Sequence, residues 1–300
     1  MKCLDNLRQS KCEMDFKGIL CGVILAMAMA GCSTVRLAEP APADAEAMAD
    51  KPAGASCDYR LWQHVLDHYV VEGYVDYERL KADPDDLKTF IGQLGGCGPA
   101  STPDKFSDDR SRLAYWINAY NAFAMLAAMK NHPRPSVKPV LGEFADQVLC
   151  RIDEQWLRLS QIADRAATAG KGDPRIRLAL IDPAKGSGKL SGTAFTPEHV
   201  DTQIVELYQQ ALADPAILQI NHERQALQLG RPVYDYRRQY VERYRTRFGT
   251  DKSGTIINAL ADDATAQERR KLGSALGYRI VPMPYDWSLN EWVRPKCSLD

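Results

Sequence analysis

The sequence predicts an α+β fold, a helix-rich single domain packed on a small, mainly antiparallel sheet. Two patterns point there. Long stretches carry apolar residues at helical spacing, and the alternating stretches are few, short and arranged as hairpins. No strand–helix–strand alternation of a doubly wound sheet runs through the chain. No internal repeat is evident either. At 300 residues the chain is long enough for a core of normal density. Its formal net charge of −1 offers no basic field for nucleic acid.

The elements follow in order. SCDYRLWQHVLDHYV places Leu61, Trp62, Val65, Leu66 and Tyr69 on one helical face behind a capping Ser56. DPDDLKTFIGQLGG predicts a second helix, with Asp83 as cap, Pro84 at its first position and Gly95-Gly96 at its end. SDDRSRLAYWINAYNAFAMLAAMKNHP is apolar around most of its circumference, the mark of a buried helix. VLCRID and QWLRL alternate as a strand pair, and SQIADRAATAG is a short helix. RIRLAL, before residue 181, predicts a strand. TPEHVDTQIVELYQQAL predicts a helix, AILQI-NHER-QALQL a hairpin, RPVYDYRRQYVERYRTRFG a polar helix, and GYRIVPMPYDWSLN a last strand.

The N-terminus carries a targeting signal. Gly18 to Ala30 is an apolar run of 13 residues behind Lys17, too short for a transmembrane helix and suited to a secretory signal. Met29-Ala30-Gly31-Cys32 resembles a bacterial lipobox, which predicts cleavage after residue 31 and a diacylglyceryl group on Cys32. Met14 makes a more typical start than Met1. Cleavage removes four basic and three acidic residues, lowering the net charge by one from −1. Ser33 after the cysteine favours the outer membrane, facing the periplasm. Residues 32–55, the lipidated cysteine and an Ala/Pro/acid-rich stretch, predict a disordered tether, and 56–300 the folded domain. Cys57, Cys97, Cys150 and Cys297 remain in an oxidising compartment, where three pairings are open to them.

The loop IDPAKGSGKL, 181–190, is rich in glycine and lysine but is no nucleotide loop. Pro183 stands where a first glycine is needed, and Leu190 where a hydroxyl should reach Mg²⁺. RLAYWINAYNAF (112–123) and YDWSLN (285–290) resemble the signature ends of the bacterial and plant family called domain of unknown function 547. GDPRIRLAL, LSGTAFTP and VYDYRRQY stand between them in the family's order. The resemblance, over about residues 57–292, implies a papain-like cysteine-hydrolase framework. It also implies a cysteine at position 182, a second at 187, histidine at 177, and an Ile-Glu-His ending at 164. This chain has Asp182, Ser187, Arg177 and Asp164 there. A thiolate needs a neighbouring base, and both are gone from these positions.

The expectation is therefore a lipid-anchored envelope protein with a degenerate hydrolase-like domain. It binds or scaffolds an unidentified envelope ligand or protein, with the membrane reached through its lipid and no cofactor. The alternative is a hydrolase or transferase on a cell-wall or peptide-like substrate using Asp182, Ser187, Asp164 and Arg177. In that reading Ser187, between two glycines, presents an exposed hydroxyl, with Lys189, His199 or His222 as nearby groups. Asp164, Asp182 and Asp286 form a paired acid/base or metal pocket. Asn118 and Asn121 are buried amides that must find partners; the preferred reading is that they bridge the helix to adjacent loop backbone, and the alternative is that they line a pocket floor beneath the 181–190 loop as binding candidates, with Lys189, Asp286 and Trp287. His64, His68 and Glu72 recur at helical spacing, but the bland reading of a solvated strip is preferred and no metal is assigned. Cys150 as a relocated nucleophile is disfavoured by its place in a strand.

Overall fold

Asp108 and Asp58 set the two helices around which the first core is built. Each aspartate accepts a backbone N–H of the first turn, from Ser111 and Arg60 respectively. The computed structural model describes residues 35–37, 58–132, 135–137, 144–249 and 254–294. The described elements run β1 (Val35–Leu37), α1 (Tyr59–Tyr69), β2 (Val70–Val71), β3 (Tyr74–Val75), α2 (Tyr77–Ala82), α3 (Asp85–Gly96), a 3₁₀ turn (Pro103–Lys105), α4 (Asp109–Asn131), α5 (Phe144–Gln147), β4 (Val148–Ile152), β5 (Gln155–Arg158) and α6 (Leu159–Ala169). Then come two 3₁₀ turns (Pro174–Leu178 and Lys185–Ser187), α7 (Val200–Ala213), β6 (Leu218–Asn221), β7 (Ala226–Leu229), α8 (Arg231–Tyr234), α9 (Arg237–Phe248), α10 (Ile256–Ala261), α11 (Ala266–Gly273) and β8 (Arg279–Pro282).

The α+β class holds. The strands, however, form three small sheets rather than one: β1-β4-β5, β2-β3 and β6-β7-β8. Pairs β2/β3, β4/β5 and β6/β7 are antiparallel, and β1/β4 and β7/β8 are parallel. Helix α4 is the axis of the first core. It is buried from Leu113 to Met129, as its all-round apolarity predicts. Trp62 from α1 and Phe90 from α3 share this core with its own Tyr115 and Phe123. A second core joins α7 and α9–α11 with the β6-β7-β8 sheet through Tyr208, Leu227, Tyr240 and Leu260.

Four local expectations change. RIRLAL is mostly a 3₁₀ turn, because Asp173 caps it through the Arg175 N–H and Pro174 opens it. Alternation of arginine with apolar residues satisfied a strand pattern, but Arg175 and Arg177 leave for separate carboxylates. The second predicted helix starts at Asp85 behind Pro84, while Asp83 closes the preceding α2. The polar helix of 231–249 is broken between Tyr234 and Arg237. Ser56 lies outside the described residues, and Asp58 does the capping.

Arg175, Arg243 and Arg247 interlace with Asp173, Asp262 and Asp263, tying the 3₁₀ turn to α9 and the end of α10. Cys97 is disulfide-bonded and Cys150 is free, which excludes a Cys97–Cys150 pairing. The signal segment, Cys32, Cys57 and Cys297 lie outside the described residues, as does most of the expected tether. Within that tether Val35–Leu37 forms a strand on β4, which corrects the expectation of disorder there. No described helix is long and apolar enough to cross a membrane.

Candidate functional site around the 181–190 loop

Helix α4 holds the loop with two amides one turn apart. Asn118 donates to the Phe195 carbonyl at 2.8 Å and accepts the Phe195 N–H at 3.0 Å. Asn121 donates to the Ala179 carbonyl at 2.8 Å and accepts the Ile181 N–H at 2.9 Å. Both are buried, so these bonds satisfy groups that water does not reach. The structure thus gives these two binding candidates to the loop's own backbone. From the same helix the Tyr120 hydroxyl donates to Asp182 Oδ1 at 2.5 Å.

Positions 177, 182 and 187 converge. Arg177 Nη2 donates to Asp182 Oδ2 at 2.9 Å, with side chains 22% and 18% exposed. Ser187 Oγ accepts the Asp182 backbone N–H at 2.9 Å. Both carboxylate oxygens of Asp182 are therefore committed, one to a phenol and one to a guanidinium. Burial opposes the Arg177 charge, yet Asp182 and then Tyr120 outweigh it and raise the guanidinium pKa further. Burial, and next the Asp182 charge, pushes the Tyr120 phenol well above its ordinary range. The result is an ion pair held in place by the phenol on one side and the guanidinium on the other.

Ser187 is only 2% exposed, which overturns the expectation of an exposed hydroxyl between glycines. The reason is the chain's C-terminal strap, 285–292, laid over the loop. Lys185 N–H donates to the Ser288 carbonyl and Gly186 N–H to the Asp286 carbonyl, each at 2.9 Å. A Cβ on Gly186 would meet Asp286 N and the Tyr285 ring at 2.8 Å, so only glycine admits the strap. The strap continues to β3, where Val75 N–H donates to Asn290 O and Trp292 N–H to Val75 O, both at 2.9 Å. The two distant signature ends of the resemblance thus meet in space, one beneath the loop and one above it.

The other named residues scatter. Asp164 is exposed on α6, opposite the buried Leu159, Ile162 and Ala166, and its carboxylate has no described contact with Asp182. Asp286 is exposed and turns back to accept the Ser288 N–H. Those bonds, from the Ser288 hydroxyl and N–H, hold its carboxyl below the usual range, helped by Lys185. The three-aspartate pocket is therefore not formed, and no cluster of metal-binding groups occurs among the described residues. Trp287 packs edge-on against Tyr285, with ring centroids 4.6 Å apart. His199 is hydrogen-bonded to Thr196, and His222 to Tyr278, so neither is given to Ser187. His64 is paired with Asp86, and His68 bonds the His64 carbonyl. Glu72 lies beyond the end of α1, so the three do not gather. Cys150 is fully buried, and burial pushes its thiol far above its ordinary range.

Lys189 leads to a second feature. A groove of about 680 Å³ runs between the β2–β3 turn, residues 189–196 and α7. Its floor includes Val70, Leu190 and Leu207, and its rim Glu72, His199 and Glu206. The volume is that of a small-ligand site. Glu72 sits at φ 53 and Gly73 at φ 85, the paired left-handed residues of a two-residue hairpin turn. A Cβ on Gly73 would come 2.5 Å from Lys189 Cβ, so the turn is pressed on the loop and fixes one groove wall. The other wall is held by side-chain amides: Gln63 donates to Gly192 O and Gln203 to Ala194 O. The Lys189 and Lys185 ammoniums lie 5.9 and 5.7 Å from the Tyr74 ring centre. Sequence reasoning named Lys189 but missed Glu206 and read Glu72 with the histidines of α1. The polar face of α7, with His199, Gln203, Glu206 and Gln210 at helical spacing, was the available signal.

The family model described as protein of unknown function, DUF547, matches residues 103–210. That span holds the asparagine clamp, Arg177, the 181–190 loop and the α7 wall of the groove. No curated protein and no solved structure matches the chain. Residues 103–210 are thus similar to the DUF547 family of proteins of unknown function.

Proposed function

We propose that this is a lipid-anchored protein of the bacterial cell envelope, facing the periplasm from the outer membrane, whose DUF547 domain binds a ligand without thiol chemistry. The observation that carries the reading is the Arg177–Asp182 pair. Where the family resemblance puts an imidazole and a thiol, this chain has a guanidinium and a carboxylate in contact at 2.9 Å. Two positions that would cooperate in catalysis hold, in this chain, partners that neutralise each other. The remaining framework, papain-like in this proposal, keeps a rigid loop and the adjacent groove. An apolar floor with a polar rim suits a peptide-like envelope ligand.

The hydrolase alternative needs an activated nucleophile. Ser187 is buried, accepts a backbone hydrogen bond and has no described contact with an imidazole. The test is calorimetric titration of the full chain with soluble cell-wall stem peptides, followed by mass analysis of the peptide. The expected result is saturable binding, weakened by Lys189→Glu and Glu206→Lys, with the peptide recovered intact. A cleaved or transferred peptide, with turnover lost in Ser187→Ala or Asp182→Asn, overturns the reading in favour of the hydrolase.

A further inference from the structure

The β1-β4-β5 sheet has one face in the core and one outside. Directly opposed residues of an antiparallel pair share a face, and Arg151 opposes Trp156 while Leu149 opposes Arg158. Val148, Cys150, Ile152 and Leu157 are buried on the inner face. The outer face carries Leu149, Arg151, Trp156 and Arg158. Trp156 is 38% exposed, a large apolar ring left in solvent, with the Arg151 guanidinium 6.0 Å from its centre. Arg158 donates to the Asp146 backbone carbonyl, and among the described residues neither arginine is ion-paired with a carboxylate. The acids of the β4–β5 turn stand at the other end of the sheet, where the Asp153 carboxylate is turned inward to Ala100 and Ser101.

Strand β1 places this face relative to the N-terminus. Val35 pairs with Val148, at the end of the sheet where Leu149 opposes Arg158. Cys32 precedes Val35 by three residues, a span of at most about 11 Å of extended chain. A lipid on Cys32 would therefore have almost no slack, and the Arg158 end of the sheet would be held at the bilayer surface. We propose that the outer face formed by Arg151, Trp156 and Arg158 lies against the anionic headgroups of the bilayer in which Cys32 is anchored. Tryptophan favours the membrane–water interface. Arginines near an anionic surface add attraction, and a lipid chain gains a second, orienting contact. The inference rests on the lipid-anchoring reading given above.

The experiment reads the two separately. The full chain is purified from membranes and its N-terminal peptide weighed for the lipid. The protein is then placed in phosphatidylethanolamine–phosphatidylglycerol vesicles whose acyl chains are brominated, and tryptophan fluorescence is followed. Expected are a lipidated Cys32 and quenching that is mostly lost in Trp156→Phe. Quenching should be reduced in an Arg151→Glu/Arg158→Glu variant and in vesicles without phosphatidylglycerol, and kept in Trp287→Phe. A lipidated protein whose quenching is unchanged by Trp156→Phe overturns the membrane face and leaves the anchoring intact. An unmodified Cys32 overturns both. Far-UV circular dichroism confirms that each variant is folded, and Trp156→Phe, a swap at an exposed ring, keeps the test sound if the double charge reversal is not.

Discussion

Removing Arg177 should expose how the altered loop is held. Its guanidinium is 2.9 Å from Asp182, and the two side chains are 22% and 18% exposed. At an effective dielectric of about 20, charges about 4 Å apart attract by roughly 4 kcal/mol before desolvation is subtracted. Breaking a fully buried pair costs about 3–5 kcal/mol, because the partner is left charged and unpaired. Partial exposure trims this, so Arg177→Ala should cost about 2–3 kcal/mol and Asp182→Ala a similar amount. The Arg177→Ala/Asp182→Ala double variant should cost less than the sum by at least about 1 kcal/mol, the coupling expected of groups in contact. Urea unfolding followed by circular dichroism gives each value by linear extrapolation, and the slope should stay constant. Single costs that add to within about 0.5 kcal/mol would refute the pairing.

Other variants probe the surroundings. Asn118→Leu strands the buried N–H and C=O of Phe195, and at about 1–3 kcal/mol per orphaned group it should cost at least about 2 kcal/mol by the same unfolding assay. Asp263 lies among Arg175, Arg243 and Arg247. Burial works to raise its carboxyl pKa, yet the arginines prevail and hold it below the usual range. A depressed folded pKa gives stability that is complete above the unfolded value and lost as pH falls through the folded one. Asp263→Asn should therefore be destabilised at neutral pH by about 1–2 kcal/mol, and unfolding curves taken down the acid limb should show that deficit closing.

Much of the fold was readable because its strongest signals are local. The apolar circumference of 109–131, the β4–β5 and β6–β7 hairpins and the α6 stripe all stand where periodicity puts them. The failures have non-local causes. The Arg175 and Arg177 partners, Asp263 and Asp182, decide the local conformation of a segment whose alternation suits a strand equally well. Ser187 was expected to be exposed because the glycines around it were visible in the sequence, whereas the strap that covers it comes from 285–292. The asparagine clamp was legible from one physical fact, that buried amides need partners. The Arg177–Asp182 contact was legible only through the family register, since no spacing rule joins a 3₁₀ turn to a loop. The groove was hidden because its walls come from three segments, and only the polar face of α7 is written in a single stretch.

The account stands or falls on the absence of a working thiol. The direct measurement is the intact mass of the native full chain after exposure to an electrophilic thiol probe at neutral pH. The account predicts that any adduct on the folded protein sits on whichever of Cys57 and Cys297 is left without a disulfide and does not depend on a histidine, and that Cys150 reacts only once denaturant opens the β1-β4-β5 sheet, because that thiol is fully buried. One stoichiometric adduct on the folded protein, abolished by replacing a neighbouring histidine, would contradict it and make this chain a thiol enzyme.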